Sequence, residues 1–101
     1  MRKVKIVCTL GPSTAGVAKL AELMRAGMDV ARLNFSHGDR DSHRRAYDDV
    51  RAAAREVGKP VAILADLSGP KIRVDKMQGV AVVLEKGKSV TLTTQPVLGT
   101  S

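Results

Sequence analysis

Three short aliphatic, β-branched runs alternate with two stretches of helical periodicity between residues 4 and 65, and this order constrains the fold more than any other feature of the chain. Val4-Lys5-Ile6-Val7-Cys8-Thr9-Leu10 is stopped by Gly11-Pro12 and reads as a strand. Ser13 or Thr14 can cap the helix that follows, because a hydroxyl there accepts from an otherwise unpaired amide. Val17, Leu20, Ala21 and Met24 then fall on one helical face, and Gly27 suits a left-handed cap. Met28 to Asn34 is a second strand, broken at His37-Gly38. Asp39 or Asp41 opens a second helix with Tyr47, Val50, Ala54 and Val57 as its buried stripe, and Gly58-Lys59-Pro60 ends it. Val61 to Ala65 is continuously apolar, the pattern of a parallel strand covered on both faces. Strand–helix–strand–helix–strand is two βαβ units, and right-handed crossovers place the strands parallel in one sheet.

The texture changes after Arg73. Val80 to Leu84 and Ser89 to Thr94 flank Glu85-Lys86-Gly87-Lys88, which predicts an antiparallel β-hairpin. The tail from Gln95 to Ser101 carries no capping or packing signal, so the fold is expected to be incomplete at that end. With 101 residues the chain is bounded at one compact domain, since a complete (β/α)8 barrel takes roughly 250 residues.

Composition narrows the function classes. A hydrophobic fraction of 44% is too high for a disordered chain, yet no run approaches membrane-helix length and no signal-peptide pattern follows Met1. Cys8 is the lone cysteine, which excludes an internal disulfide framework or a multi-cysteine zinc site; it reads as a small buried hydrophobe. A reducing, cytoplasmic location is the expectation. The net charge is +7, but acidic residues are interspersed among the basic ones, as in Asp39-Arg40-Asp41, and Phe35 and Tyr47 are the only aromatics. Nucleic-acid modules usually add stacking aromatics or a clustered basic stripe, so neither a nucleic-acid nor a membrane partner is expected.

Ligands of parallel α/β sheets gather at the carboxyl ends of the strands. Polar residues accumulate there: Arg32, Asn34 and Ser36 close the second strand, while Asp66 and Ser68, then Lys71 and Arg73, follow the third. Alternation puts Val30, Arg32 and Asn34 on one face and Ala31, Leu33 and Phe35 on the other. A guanidinium beside Asn34 offers a planar fork for phosphate or carboxylate. Each residue has a plainer reading too. Arg32 can be a surface ion-pairing residue, Asp66 a cap or a partner of Arg73, and Ser36-His37-Gly38 an ordinary turn. His37 and His43 lie six apart, which is not a helical metal pair. The first strand is followed by neither a dinucleotide fingerprint nor a Walker loop.

The same residues carry a family resemblance. Lys5 to Ser13 (KIVCTLGPS), Ala26 to Gly38 (AGMDVARLNFSHG) and Asp66 to Arg73 (DLSGPKIR) resemble, in order and spacing, three motifs of the pyruvate kinases. The resemblance implies the first three strands and two helices of a TIM barrel over residues 1–73, and the beginning of the family's inserted β-rich lid domain over residues 74–101. It implies transfer of a phosphoryl group from phosphoenolpyruvate to ADP, giving pyruvate and ATP in glycolysis, with Mg2+ and often K+, in a homotetramer. Carried over by position, Arg32 would hold the substrate phosphate. Asn34, Phe35, Ser36, His37 and Arg73 would contact the nucleotide, and Asn34, Ser36, Asp66 and the carbonyl of Leu67 would bind a monovalent cation. Lys71 stands where potassium-dependent members carry glutamate, so its ammonium is expected to replace that ion. The family's catalytic lysine and its magnesium-binding carboxylates correspond to no residue here, so the chain alone is expected to be inactive. The alternative is a non-catalytic phosphate-binding or interaction module that keeps half of the site.

Overall fold

A computed structural model describes residues 2–101. Two compact units divide the chain, residues 1–69 and 70–101. In the first, β1 (Ile6–Thr9), α1 (Val17–Ala26), β2 (Met28–Asn34), α2 (Arg40–Val57) and β3 (Ala62–Asp66) follow in order. The strands form one parallel sheet in the order β1-β2-β3, with Val30 opposite Val7 and Ala62, and Asn34 opposite Asp66. This is the α/β arrangement that two βαβ units dictate.

The core lies between the two helices and one face of the sheet. Leu20, Ala21 and Met24 of α1 meet Val50 and Ala53 of α2 over Met28 and Ala31 of β2, and all are buried. Cys8 and Ile63 pack at its margin from the outer strands. The α2 stripe is shifted from the expected one: Tyr47 is 40% exposed, and Ala53 is buried while Ala54 and Val57 are half-buried. Tyr47 lies outward between two guanidiniums, with Arg44 and Arg51 at 5.8 and 5.3 Å from its ring centre. A polar tip and cationic neighbours make that position tolerable in water.

Helix ends follow the sequence in part. Asp39 caps α2 reciprocally: its carboxylate accepts from Ser42 N at 2.8 Å, and Asp39 N donates to Ser42 Oγ at 3.0 Å. Gly27 and Gly58, at φ 125° and 70°, close α1 and α2. Neither Ser13 nor Thr14 caps α1. Thr14 Oγ1 instead accepts from Gly11 N and donates to Gly11 O, closing a 3-10 turn over Pro12–Thr14, and Gly16 precedes α1. The hydroxyl is consumed by the nearer amide.

Two expectations are corrected. The third strand is not covered on both faces, because α1 and α2 share one side of the sheet. Val7 and Leu64 on the other side are 53% and 47% exposed. The hairpin also does not form. Lys88 N donates to Glu85 O at 3.2 Å, so the turn is present. Residues 80–84 and 89–94 nevertheless form no strands, and residues 70–101 hold a single bridge, Met77 to Gly99. A two-stranded hairpin is marginal without a third strand or a helix to pack on, and these side chains are exposed except the half-buried Val82. No helix among the described residues is long and apolar enough to cross a membrane.

Candidate functional site

The uncovered face of the sheet is graded along the strands. Val7, Val30 and Ala62 form one row, Thr9, Arg32 and Leu64 the next, and Asn34 and Asp66 the last at the carboxyl ends. Period-two alternation produces this grouping, because each of these residues shares a register row and a face with its neighbours.

Arg32 is the centre of the polar end. Its Nε donates to Asp66 Oδ2 at 2.8 Å, its Nη2 donates to the same oxygen, and its Nη1 donates to Thr9 Oγ1 at 3.0 Å. Asp66 therefore pairs with Arg32 at the carboxyl end of the sheet. Thr9 is the residue that sequence reasoning missed. It faces Arg32 across the β1–β2 register, and alternation along β1 puts it on the open face; that signal was readable. Three guanidinium N–H groups are thus occupied, which leaves one donor on each terminal nitrogen, the edge that fits two oxygens of a phosphate or carboxylate. The pair is partly solvated, with side chains 29% and 44% exposed, so it orients the fork more than it stabilises the fold.

Asn34 shapes the turn beyond β2. Its Oδ1 accepts from Ser36 N at 3.1 Å and its carbonyl accepts from His37 N at 3.2 Å, while Phe35 N donates to Asp66 O at 2.9 Å. Asn34 and His37 line a cavity of about 650 Å3 between the β1–α1 turn and the start of α2, together with Thr9, Pro12 and Asp49. Phe35 points elsewhere, into a second cavity of about 390 Å3 beside Tyr47 and Ile63. Thr9 joins the cavity to the Arg32 fork, since it lines one and bonds the other. Leu67 is 73% exposed. Lys71 and Arg73 are exposed residues of the second unit.

As donors for a hard cation, the Asp66 carboxylate and the Asn34 amide oxygen are of the right type and lie side by side where β2 pairs with β3, with Ser36 two residues on. Arg32 already occupies Asp66 Oδ2 and Ser36 N occupies Asn34 Oδ1, so the group suits one weakly held monovalent ion at most. No group of three or more His, Cys, Asp or Glu side chains able to hold a metal occurs among the described residues.

Comparison with known proteins agrees with this geometry. The family model described as pyruvate kinase, barrel domain, matches residues 1–101. The pyruvate kinase of Geobacillus stearothermophilus is 50% identical over 99 residues, covering 98% of this chain and 17% of that protein. The pyruvate kinase of Corynebacterium glutamicum is 50% identical over 99 residues, covering 98% of this chain and 21% of the relative. Among solved structures, Cryptosporidium parvum pyruvate kinase superposes with a TM-score of 0.73 at 45% identity, over 76% of this chain and 16% of that one. The chain thus spans about a fifth or less of the length of these relatives. It belongs to the pyruvate kinase family.

Proposed function

We propose that this chain supplies the phosphate-binding corner of an active site that passes the phosphoryl group of phosphoenolpyruvate to ADP, yielding pyruvate and ATP. In this reading residues 1–73 are the amino-terminal part of a (β/α)8 barrel and residues 74–101 begin an inserted lid domain. The observation that carries it is the Arg32 fork, held from two sides by Asp66 and Thr9 with its outer edge left to a ligand. Phosphoryl transfer depends mainly on positioning and charge stabilisation, and a preset guanidinium does both for an anionic group.

The cavity beside Thr9 and Asn34 would take the nucleotide, with Asn34 and His37 in its lining, while Ser36 and Arg73 are nucleotide contacts by family resemblance alone. A monovalent cation would sit among Asn34, Ser36, Asp66 and the Leu67 carbonyl, and Lys71 would provide that charge as a tethered ammonium. A tethered charge loses no translational freedom on binding, so it replaces a weakly held ion at little entropic cost. Magnesium, when bound in the complete site, supplies neutralisation of phosphate charge; its ligands are not among these residues.

The test is a chimera in which residues 1–101 replace the aligned segment of the Geobacillus stearothermophilus pyruvate kinase. It should form pyruvate from phosphoenolpyruvate and ADP, while the 101-residue chain alone should not. Arg32→Ala should lower kcat/KM for phosphoenolpyruvate by about 100-fold or more, the usual cost of losing a preorganised charge-stabilising donor. The chimera should also work nearly as well without potassium as with it, and Lys71→Glu should make it potassium-dependent. A folded chimera without turnover, or an Arg32→Ala variant as active as its parent, overturns the assignment. Strong potassium activation of the parent chimera overturns the role given to Lys71.

A further inference from the structure

The turn that carries Asn34 to Gly38 is tied to the sheet by its own backbone. Phe35 N reaches β3 at Asp66 O, and Ser36 N and His37 N reach back to Asn34. Its tie to α2 is made by a ring. His43, in the first turns of α2, stacks on Phe35 with ring centres 4.3 Å apart and planes 24° from parallel. The edge of the same imidazole lies under Gly38: a Cβ there would sit 3.4 Å from both Cε1 and Nε2 of His43, and 2.8 Å from Ser42 Oγ. Gly38 has φ 77°, so glycine fits this position on conformational grounds as well as for space.

Two further facts define what the ring does. His43 lines both cavities, as the wall between the space beside His37 and the space beside Phe35. Its Nε2 is buried without a hydrogen-bond partner among the described residues. A buried polar atom left unpaired is a cost, so on this edge the imidazole is held by its shape and stacking. We propose that His43 is a positioning residue for the site described above: by stacking on Phe35 and closing under Gly38 it fixes the 35–38 turn, and so sets where the Asn34, Ser36 and His37 groups meet the nucleotide. The proposal rests on the phosphoryl-transfer reading for the nature of the ligand, and on the stacking geometry for the mechanism. Shrinking the side chain would join the two cavities and free Phe35 to move inward.

Two measurements test it. In the 101-residue chain, amide hydrogen exchange at Phe35, Ser36 and His37 should quicken by about tenfold or more in His43→Leu, with Ala31 and Arg32 in β2 unchanged, because the loss is a local opening. His43→Phe, which keeps a flat ring, should restore the protection. In the chimera, His43→Leu should raise KM for ADP more than it lowers kcat, again with rescue by His43→Phe. Equal exchange in the leucine and phenylalanine variants, or a rise spread evenly over β2 and the turn, overturns the proposal. So does an unchanged KM for ADP in an active His43→Leu chimera. A parent chimera without turnover counts against the phosphoryl-transfer reading, and the exchange comparison still decides His43.

Discussion

Residues 1–69 and 70–101 are both supplied with aliphatic side chains, yet among the described residues the nine buried apolar ones all lie between Leu20 and Val61. In the second unit Ile72 and Val80 are fully exposed and Leu92 is 87% exposed. The difference lies in placement. In α1 the apolar residues recur with the helical period, so one stripe meets a second stripe on α2 and one face of β2. In residues 80–94 they fall in one continuous run, 80–84, and one alternating run, 89–94, that have only each other to pair with. Apolar content provides a driving force, but a core needs two surfaces that can face one another.

The largest expected effect follows from this contrast. Leu20 is 1% exposed and packs among Met24, Met28 and Val50. Leu20→Ala should cost about 2–5 kcal/mol of unfolding free energy, the range for opening a cavity in a packed core. Leu92→Ala should change it by no more than about 0.5 kcal/mol. Urea unfolding followed by far-ultraviolet circular dichroism measures both, and a substantial loss from Leu92→Ala would break the division between the two regions.

How much of this was legible beforehand varies in the same way. The strand and helix order, the parallel sheet, the Asp39 cap and the shared face of Arg32 and Asn34 followed from periodicity and capping chemistry, because those signals are local. Partners across the fold were less legible. In sequence Asp66 read as a cap or a partner of Arg73, and the β2–β3 register gives it Arg32 instead. Thr9 became an anchor through the β1–β2 register. Coverage was misread for β3, since a continuous apolar run says that two faces are apolar and not that both are packed. The residues after Arg73 were misread as a hairpin because two β-prone runs about a turn describe a pair of strands but not the third surface that stabilises it. The His43 ring was noted only as an unsuitable metal partner, since stacking on Phe35 depends on how α2 lies on the turn.

A smaller effect separates two aspartates. Asp29 of β2 has a side chain 12% exposed, accepts from Ile6 N at 2.9 Å, and pairs with Arg2 and Lys59, each at 3.3 Å. The Ile6 amide first, then Lys59 and Arg2, hold its carboxyl below the ordinary value against the opposing effect of burial. A carboxylate whose folded pKa is depressed contributes stability in full above its unfolded pKa, about 3.9, and loses it as pH falls through the lower folded value. Asp29→Asn should therefore be less stable than its parent by a constant margin near neutrality, and the margin should narrow below about pH 4. Asp75 of the second unit accepts only from its neighbour Lys76 N, at 2.8 Å, among the described residues. Asp75→Asn should leave unfolding unchanged across the same pH series. A margin for Asp29→Asn that persists undiminished into acid would show that the loss comes from packing and not from charge.

The smallest effect is also the sharpest comparison, because it makes one substitution in two equivalent settings. Gly58, at φ 70°, ends α2 with its N–H donating to Ala54 O at 2.9 Å. Gly87, at φ 89°, sits in the turn whose Lys88 N donates to Glu85 O. A Cβ at either position would meet nothing within 4 Å, so neighbouring atoms do not enter and only backbone conformation is at stake. For alanine the left-handed region costs roughly 1–2 kcal/mol. At Gly58 the cost must be borne, since the reversal there leads from α2 to Pro60 and the buried Val61. At Gly87 the turn can relax to another conformation, because it closes no strand pair. Gly58→Ala should lower Tm by about 4–8 °C per kcal/mol for a domain of this size, whereas Gly87→Ala should leave it within error. An equal drop for Gly87→Ala would mean that the turn at 85–88 is held by a structure that unfolds together with residues 1–69, and the two regions would then have to be counted as one cooperative unit.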